Sequence, residues 1–486
     1  MQLGTYKGDI VVHIEADIIA QQIARDLGNP PDLTCLQLTM QDNSTVHCVY
    51  IASITMANQV DELILKPLIS ANQQGNHVTN LAWLMSSIPI GQRQELDDFS
   101  QAIHQLLDGH CLLIPSADSK YLSFDVSKSS YRSIEEPSSE VAIRGPREGF
   151  VEDISQNVPL IRKRLKSKNL IFEKIVLGSQ TQTTIYISYL RDVASPQVVD
   201  EFRRRISSIR TDGIIESAYI EEWIQDKTLS PFPQLITTER PDSVVAKLLE
   251  GQVAVLTDGT PMVLLGPVTF FQFFTSPEDH YQRADIATLI RWLRMFTFLL
   301  AIFIPALYVS IVSYHQELLP TSLLINLSAQ REQVPFPAFV EATIMMVTFE
   351  ILREAGLRMP RIAGQAISIV GALVLGQAAV EAGLISAAMV IVVSLTAISN
   401  FISPSYSFGI AQRIVQFAFL GLSSVLGLYG LLIGVYIMLV HLASLRSFGV
   451  HYLSPVAPLY LSAWKDMIIR VPRFLMNRLP RWSHDK

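Results

Sequence analysis

The apolar positions of this chain fall into two regimes. Through residue 290 they alternate with polar ones at the periods of amphipathic strands and helices, and from Arg291 they fuse into long runs. The first run, between Met295 and Tyr314, contains no charged residue. About twenty apolar residues of helix, at about 1.5 Å rise, match a hydrocarbon core of roughly 30 Å, so this run predicts a membrane span. Further candidate spans are residues 338–352 (AFVEATIMMVTFEIL), for which a re-entrant or surface helix is the alternative, 362–380 and 384–401. From Ile414 to Leu445 no residue is charged. One straight helix of that length, about 48 Å, is too long for a single crossing, and the GLYG beginning at Gly427 predicts a turn that folds it into a hairpin. About five to six spans are expected: six crossings put both chain ends on one side, which the basic tail (Arg446, Lys465, Arg470, Arg473, Arg478, Arg481, Lys486) marks as the cytosol, and five would leave that tail outside.

The first 290 residues read as α/β, with strand and helix patterns in alternation. Part of the pattern occurs twice. HCVYIASITMANQVDELILKPL, from His47, lines up with TTIYISYLRDVASPQVVDEFRRRI, from Thr183; each is an alternating strand, a short turn and a helix opening near Val-Asp-Glu. LLDGHCLLIPSADSKYLSFDV, from Leu106, lines up in the same way with LLEGQVAVLTDGTPMVLLGPV, from Leu248. In these, Gly109 and Gly251 stand where a helix stops before a strand, a position that favours glycine, and Asp258-Gly259 predicts a hairpin turn. The expected organisation is two related α/β subdomains, 1–127 and 148–280, joined by a Ser/Pro/Glu-rich linker at 128–147. An all-α membrane domain at 281–446 and a basic cytosolic tail at 447–486 complete it.

Charge sharpens the division. Residues 1–290 carry 24 Lys+Arg against 36 Asp+Glu, and residues 291–486 carry 14 against 8, so a net −12 is joined to a net +6. Three cysteines, Cys35, Cys48 and Cys111, form neither a disulfide framework nor a zinc knuckle and read as buried free thiols. The N-terminus lacks the basic and apolar regions of a signal peptide, which leaves the first half expected in the cytosol. The basic run Arg162–Lys168 (RKRLKSK) reads as a solvated helix face or a contact with lipid headgroups. Nucleic acid is a poor match in a half this acidic.

No HExxH, GxSxG, GxxxxGK[ST] or CxxC occurs, and the ten histidines are scattered. An enzyme is therefore not expected, nor a metal or cofactor. The informative residues are acids inside an apolar stretch. Glu341 and Glu350 are costly in lipid unless each faces water or a partner. Nine residues apart on a helix, they point to opposite faces. Glu350 and Arg353, at i,i+3, are expected to be a tied-down structural pair. Glu341, sharing its face with Met345 and Thr348, is expected to line an aqueous path, with Gln377 of the following span a further candidate; Gln365 is expected to bond between helices. Symmetric copies of Glu341 would form an acidic ring favouring cations.

A set of short motifs then points to a family. They are SPFPQ (from Ser230), TERPD (Thr238), EGQVAVLTDGTP (Glu250), SPED (Ser276), HQE (His315), VPFP (Val334), FEILREAG (Phe349), GQAA (Gly376) and RSFG (Arg446). In this order and number they resemble the A subunit of the GerA-type spore germination receptors of spore-forming Firmicutes. The resemblance implies a multi-pass protein of the spore inner membrane, acting with a transporter-like B subunit and a lipoprotein C subunit. It also implies a response to nutrients such as amino acids, sugars or nucleosides, and oligomerisation, as a pentamer, into a channel releasing monovalent cations. A secondary transporter and a signal-relaying scaffold without conduction are the alternatives. The repeat in the soluble half, rather than an inverted repeat of spans, weighs against the transporter.

Overall fold

The computed structural model describes residues 9–475, apart from 41–44, 74–84, 86–87, 117–119, 129–136, 138–139, 141–143, 359–375 and 461–463. Its described residues form two compact units: one holds those up to 225 with 237–267, the other 226–236 with 268–475.

The first unit contains two five-stranded sheets. β1 (Leu33–Thr39), β2 (Thr45–Ile51), β3 (Arg93–Leu96), β4 (His110–Pro115) and β5 (Tyr121–Asp125) are ordered 1-2-4-5-3. β6 (Leu170–Leu177), β7 (Thr183–Leu190), β8 (Ile236–Thr238), β9 (Val253–Thr257) and β10 (Val263–Gly266) take the same order, 6-7-9-10-8. β1–β2, β2–β4, β4–β5 and β6–β7, β7–β9, β9–β10 pair antiparallel.

The helices repeat as well. α1 (Asp9–Asp26) opens the first half; after β2 come helical turns Ala57–Gln59 and Val60–Leu65, continued by α2 (Lys66–Gln73), and then α3 (Phe99–Leu107). The second half has α4 (Ile154–Arg164), α5 (Pro196–Ser208), α6 (Ser217–Ile224) and α7 (Pro241–Leu249). Aspartates cap α3 and α4, Asp98 and Asp153 accepting from the backbone of Ser100 and Ser155. Gly109 and Gly251 end α3 and α7 with φ of +94° and +93°. A Cβ there would stand 2.9 Å from the Ile54 carbonyl or 3.0 Å from the Val193 carbonyl, at matching places in the two copies.

Two expectations hold only in part in this unit. Of the basic run, Lys163, Lys166 and Lys168 are exposed, but Arg162 is buried, stacks on Phe172, and donates from Nε and Nη2 to Asp32 at 2.9 and 2.8 Å, while Lys166 pairs with Asp108 at 2.5 Å. Both acids belong to the first copy of the repeat, so the run fastens one subdomain to the other. A buried guanidinium needs a bidentate carboxylate, and Asp32 lies 130 residues upstream. The cysteines also divide: Cys48 and Cys111 are buried with sulfurs 3.3 Å apart, but Cys35, on β1, is exposed.

The second unit is helical. It contains α8 (Ala284–Tyr314), α9 (Thr321–Glu332), α10 (Ala338–Arg358), α11 (Gly376–Glu381), α12 (Ala387–Phe401), α13 (Tyr406–Leu426) and α14 (Leu428–Ser444). α8 and α13 are long and apolar enough to cross a bilayer, and α12 and α14 are shorter apolar helices. The expected hairpin turn is where α13 meets α14. Gly427 takes φ +62°, and a Cβ on it would strike His315 and Tyr314 at the end of α8. Gly430 and Gly434 let α14 lie on α13, since a Cβ at either would collide with Leu422 or Phe419. Most of the 362–380 span, with Gln365, falls outside the described residues. The soluble-to-helical division also shifts. Residues 268–283 and the described part of 447–477 pack with the helices instead of forming a subdomain edge and a free tail.

Candidate functional site

Two of the short motifs, SPFPQ and RSFG, meet in a collar of the helical unit. β11 (Arg446–Ser447) and β12 (Val450–His451) form the RSFG hairpin, turned by Phe448 and Gly449 at φ 49° and 86°. Ser447 Oγ donates to the Gln234 carbonyl at 2.8 Å and accepts from the Val268 N–H at 3.0 Å. In SPFPQ, the fully buried Gln234 side chain accepts from the N–H groups of Asp226 and Lys227, Ser230 Oγ meets His441 Nε2 at 2.9 Å, and the Pro233 carbonyl accepts from Tyr452 OH at 2.7 Å. Phe232, Phe270, Phe273, Phe274, Phe298 and Phe408 pack between these strands and helices, with Phe408 stacked on both Phe273 and Phe298 at 5.0 Å.

The SPED motif fixes the base of α8. Ser276 and Asp279 form a capping box, and buried Asp279 is the partner of two arginines, accepting from Arg291 Nη2 at 2.9 Å and Arg294 Nη1 at 2.8 Å. Arg291, fully buried, also donates to the carbonyls of Asp466 and Met467, at the helical turn α15 (Trp464–Met467). In the sequence, Arg291 and Arg294 stand just before the first uncharged run, as basic residues flanking a span do. That position gives no sign that they are interior groups, because Asp279 reads as one more exposed acid until it is folded.

The acids of α10 lie on different sides, as their spacing requires; Glu350 is paired with Arg353 as expected, whereas Glu341 is enclosed instead of facing water. Glu341 is fully buried. Its Oε1 accepts from Ser386 N–H at 2.6 Å and from Ser386 Oγ at 2.5 Å. Ser386 is the N-cap of α12, its Oγ accepting from Met389 N–H at 3.2 Å. The carboxylate thus sits at the positive end of a helix. Its other oxygen, Oε2, has no partner among the described residues, and neither has the buried hydroxyl of Tyr308. Glu350 is only part-buried and is held by Arg353 and also by Arg413 of α13, at 3.1 Å. Arg353 and Glu350 are therefore together, with a third member the sequence did not suggest.

Met345 and Thr348, on the Glu341 face, line an apolar groove of about 700 Å³ between α10, α11 and α12, with Phe336, Ile385, Val393 and Ala397 among its walls. Gln377 is exposed and donates to Glu381 at 2.8 Å. Ser386 was missed, although a serine opening an apolar helix is a readable N-cap signal.

The chain thus falls in the class of proteins that join an α/β unit with a repeated sheet to a helical unit carrying buried acids and arginines. The model of the Bacillus/Clostridium GerA spore germination protein family matches residues 21–482, and the chain belongs to that family of germination receptor A subunits. It is 42% identical over 467 residues to spore germination protein KA of Bacillus subtilis (strain 168), covering 95% of this chain and 86% of the relative. It is 42% identical to the uncharacterized membrane protein YfkQ of the same organism (89% and 84% covered) and 37% identical to spore germination protein GerLA of Bacillus cereus (96% and 95% covered). Among solved structures, it is similar to the N-terminal domain of the A subunit of the Bacillus megaterium spore germinant receptor GerK3. That likeness is 29% identical with TM-score 0.41, covering 52% of this chain and 94% of that one.

Proposed function

We propose that this chain is the A subunit of a nutrient-responsive germination receptor in the spore inner membrane, acting with a transporter-like B subunit and a lipoprotein C subunit. Several copies surround a cation path along the face of α10 that carries Glu341, Met345 and Thr348, with Gln377 at its margin. One observation carries the conduction reading: a carboxylate buried in an apolar helix is restrained by a single serine at the N-terminus of a neighbouring helix.

While Ser386 holds Glu341, the groove below it presents almost only apolar walls, and an apolar constriction excludes hydrated ions by dewetting. Release of Ser386 frees a carboxylate to turn toward that space, and symmetric copies then give a ring that attracts cations. A hydrogen bond to a charged group contributes about 1.5–3 kcal/mol, so removing the serine hydroxyl shifts the closed-to-open balance roughly tenfold or more. The test is passive cation flux through the receptor reconstituted in liposomes with its B and C subunits. Ser386→Ala should raise flux in the absence of nutrient, and Glu341→Gln should lower nutrient-triggered flux while assembly is unchanged. Wild-type flux in both variants removes the conduction reading.

A further inference from the structure

We propose that residues 464–475, clipped along the base of α8, form a headgroup site for an anionic phospholipid. The inference rests on the reading that α8 spans a membrane. Its 31 residues make a helix of about 46 Å, longer than a roughly 30 Å hydrocarbon core, so its first turns stand in the headgroup layer. There the C-terminal segment is bound to it. Trp292 Nε1 donates to the Ile468 carbonyl at 3.0 Å, the Arg470 N–H donates to Thr288 Oγ1 at 3.1 Å, and Arg291 holds the carbonyls of Asp466 and Met467.

Three guanidiniums, those of Arg291, Arg294 and Arg470, meet two buried carboxylates at this junction: Arg291 and Arg294 share Asp279, and Asp466 lies 4.0 Å from His280 Nε2. Arg470 is 8% exposed, its Nη1 donates only to the neighbouring Val471 carbonyl at 2.7 Å, and its Nε has no partner. Among the described residues no carboxylate pairs with Arg470. A guanidinium this far from water is unfavourable without a counter-charge, and its planar donors suit a phosphate.

The surroundings select a lipid over a free anion. Phe474 is 81% exposed and Leu475 61%; Ile469, Leu289 and Trp292 are also exposed, continuing the outward apolar side of α8. An apolar patch beside a buried cation matches the boundary between acyl chains and headgroups. Residues 446–486 carry seven Lys+Arg against two Asp+Glu, the sign that an anionic leaflet attracts.

The full chain, purified in mild detergent from membranes of phosphatidylcholine mixed with phosphatidylglycerol, is examined by native mass spectrometry for retained lipid. Phosphatidylglycerol should be kept over phosphatidylcholine, and Arg470→Gln should weaken that preference roughly fivefold, the effect of one basic contact. Phe474→Ser combined with Leu475→Ser, both at exposed positions, should lower retention of either lipid without unfolding the chain. Equal retention of the two lipids, an unchanged preference in Arg470→Gln, or displacement of the lipid by inorganic phosphate would overturn the site. Carbonate extraction separates the two levels. A chain that stays in the membrane but shows no lipid preference sinks the site alone, whereas a chain that is released sinks the spanning reading and the site together.

Discussion

Asp279 is the single carboxylate on which two interior guanidiniums depend. Replacing it with asparagine leaves Arg291 and Arg294 buried without a counter-charge, and breaking a buried pair in this way costs about 3–5 kcal/mol. Asp279→Asn should therefore lower the thermal midpoint of the purified chain sharply, and Asp279→Glu less so. Another acid works in the opposite sense. Burial, joined by the like charges of Glu216 and Glu222, pushes the Glu221 carboxyl from an ordinary 4.5 up to about 7. The folded state then binds more protons than the unfolded one between those values, so this residue's contribution falls as pH rises from about 4.5 to about 7. Glu221→Gln, neutral throughout, should remove that slope in thermal unfolding followed against pH and should be the more stable protein above pH 7. No such difference at any pH would mean that Glu221 ionises normally. At this scale the sequence shows which faces Glu341 and Glu350 take, because helical spacing fixes that. It does not show which is enclosed, because the deciding partners, Ser386 and Arg413, are 45 and 63 residues away in the chain.

The repeated element was legible because local rules wrote it twice: a strand, a turn, a helix, then a glycine stop. Gly251 tests the stop. An L-residue in the left-handed region costs roughly 1–2 kcal/mol, and a Cβ on Gly251 would also lie 3.0 Å from a backbone oxygen. Gly259 has nearly the same φ, +90°, with nothing nearer than 3.9 Å. Thermal unfolding should show Gly251→Ala losing more stability than Gly259→Ala; equal losses would mean that the close approach is relieved at no cost. The α13–α14 hairpin was legible for a similar reason, since length alone required a break and Gly427 offered one. Within the basic run that begins on α4, Arg162 was misread because periodicity places a residue on a helix face without saying what covers that face. Here the cover is the other copy of the repeat, through Asp32.

For the whole molecule, hydropathy and charge separated a water-facing half from an apolar one, and the short motifs identified the family. They did not indicate that SPFPQ and RSFG, more than 200 residues apart, are parts of one collar, since nothing in either segment encodes the other. That arrangement means that, among the described residues, the chain passes between its two units at three places, after residues 225, 236 and 267. Neither unit can therefore be excised by one cut. A fragment ending at residue 225 omits β8, β9 and β10 and leaves the second sheet with two strands. A fragment ending at 267 completes that sheet but carries Phe232 and Gln234 away from the residues that enclose them, exposing an aromatic ring that evolved to be dry. Such a fragment should self-associate, and exchanging Phe232 for serine is the remedy this geometry prescribes.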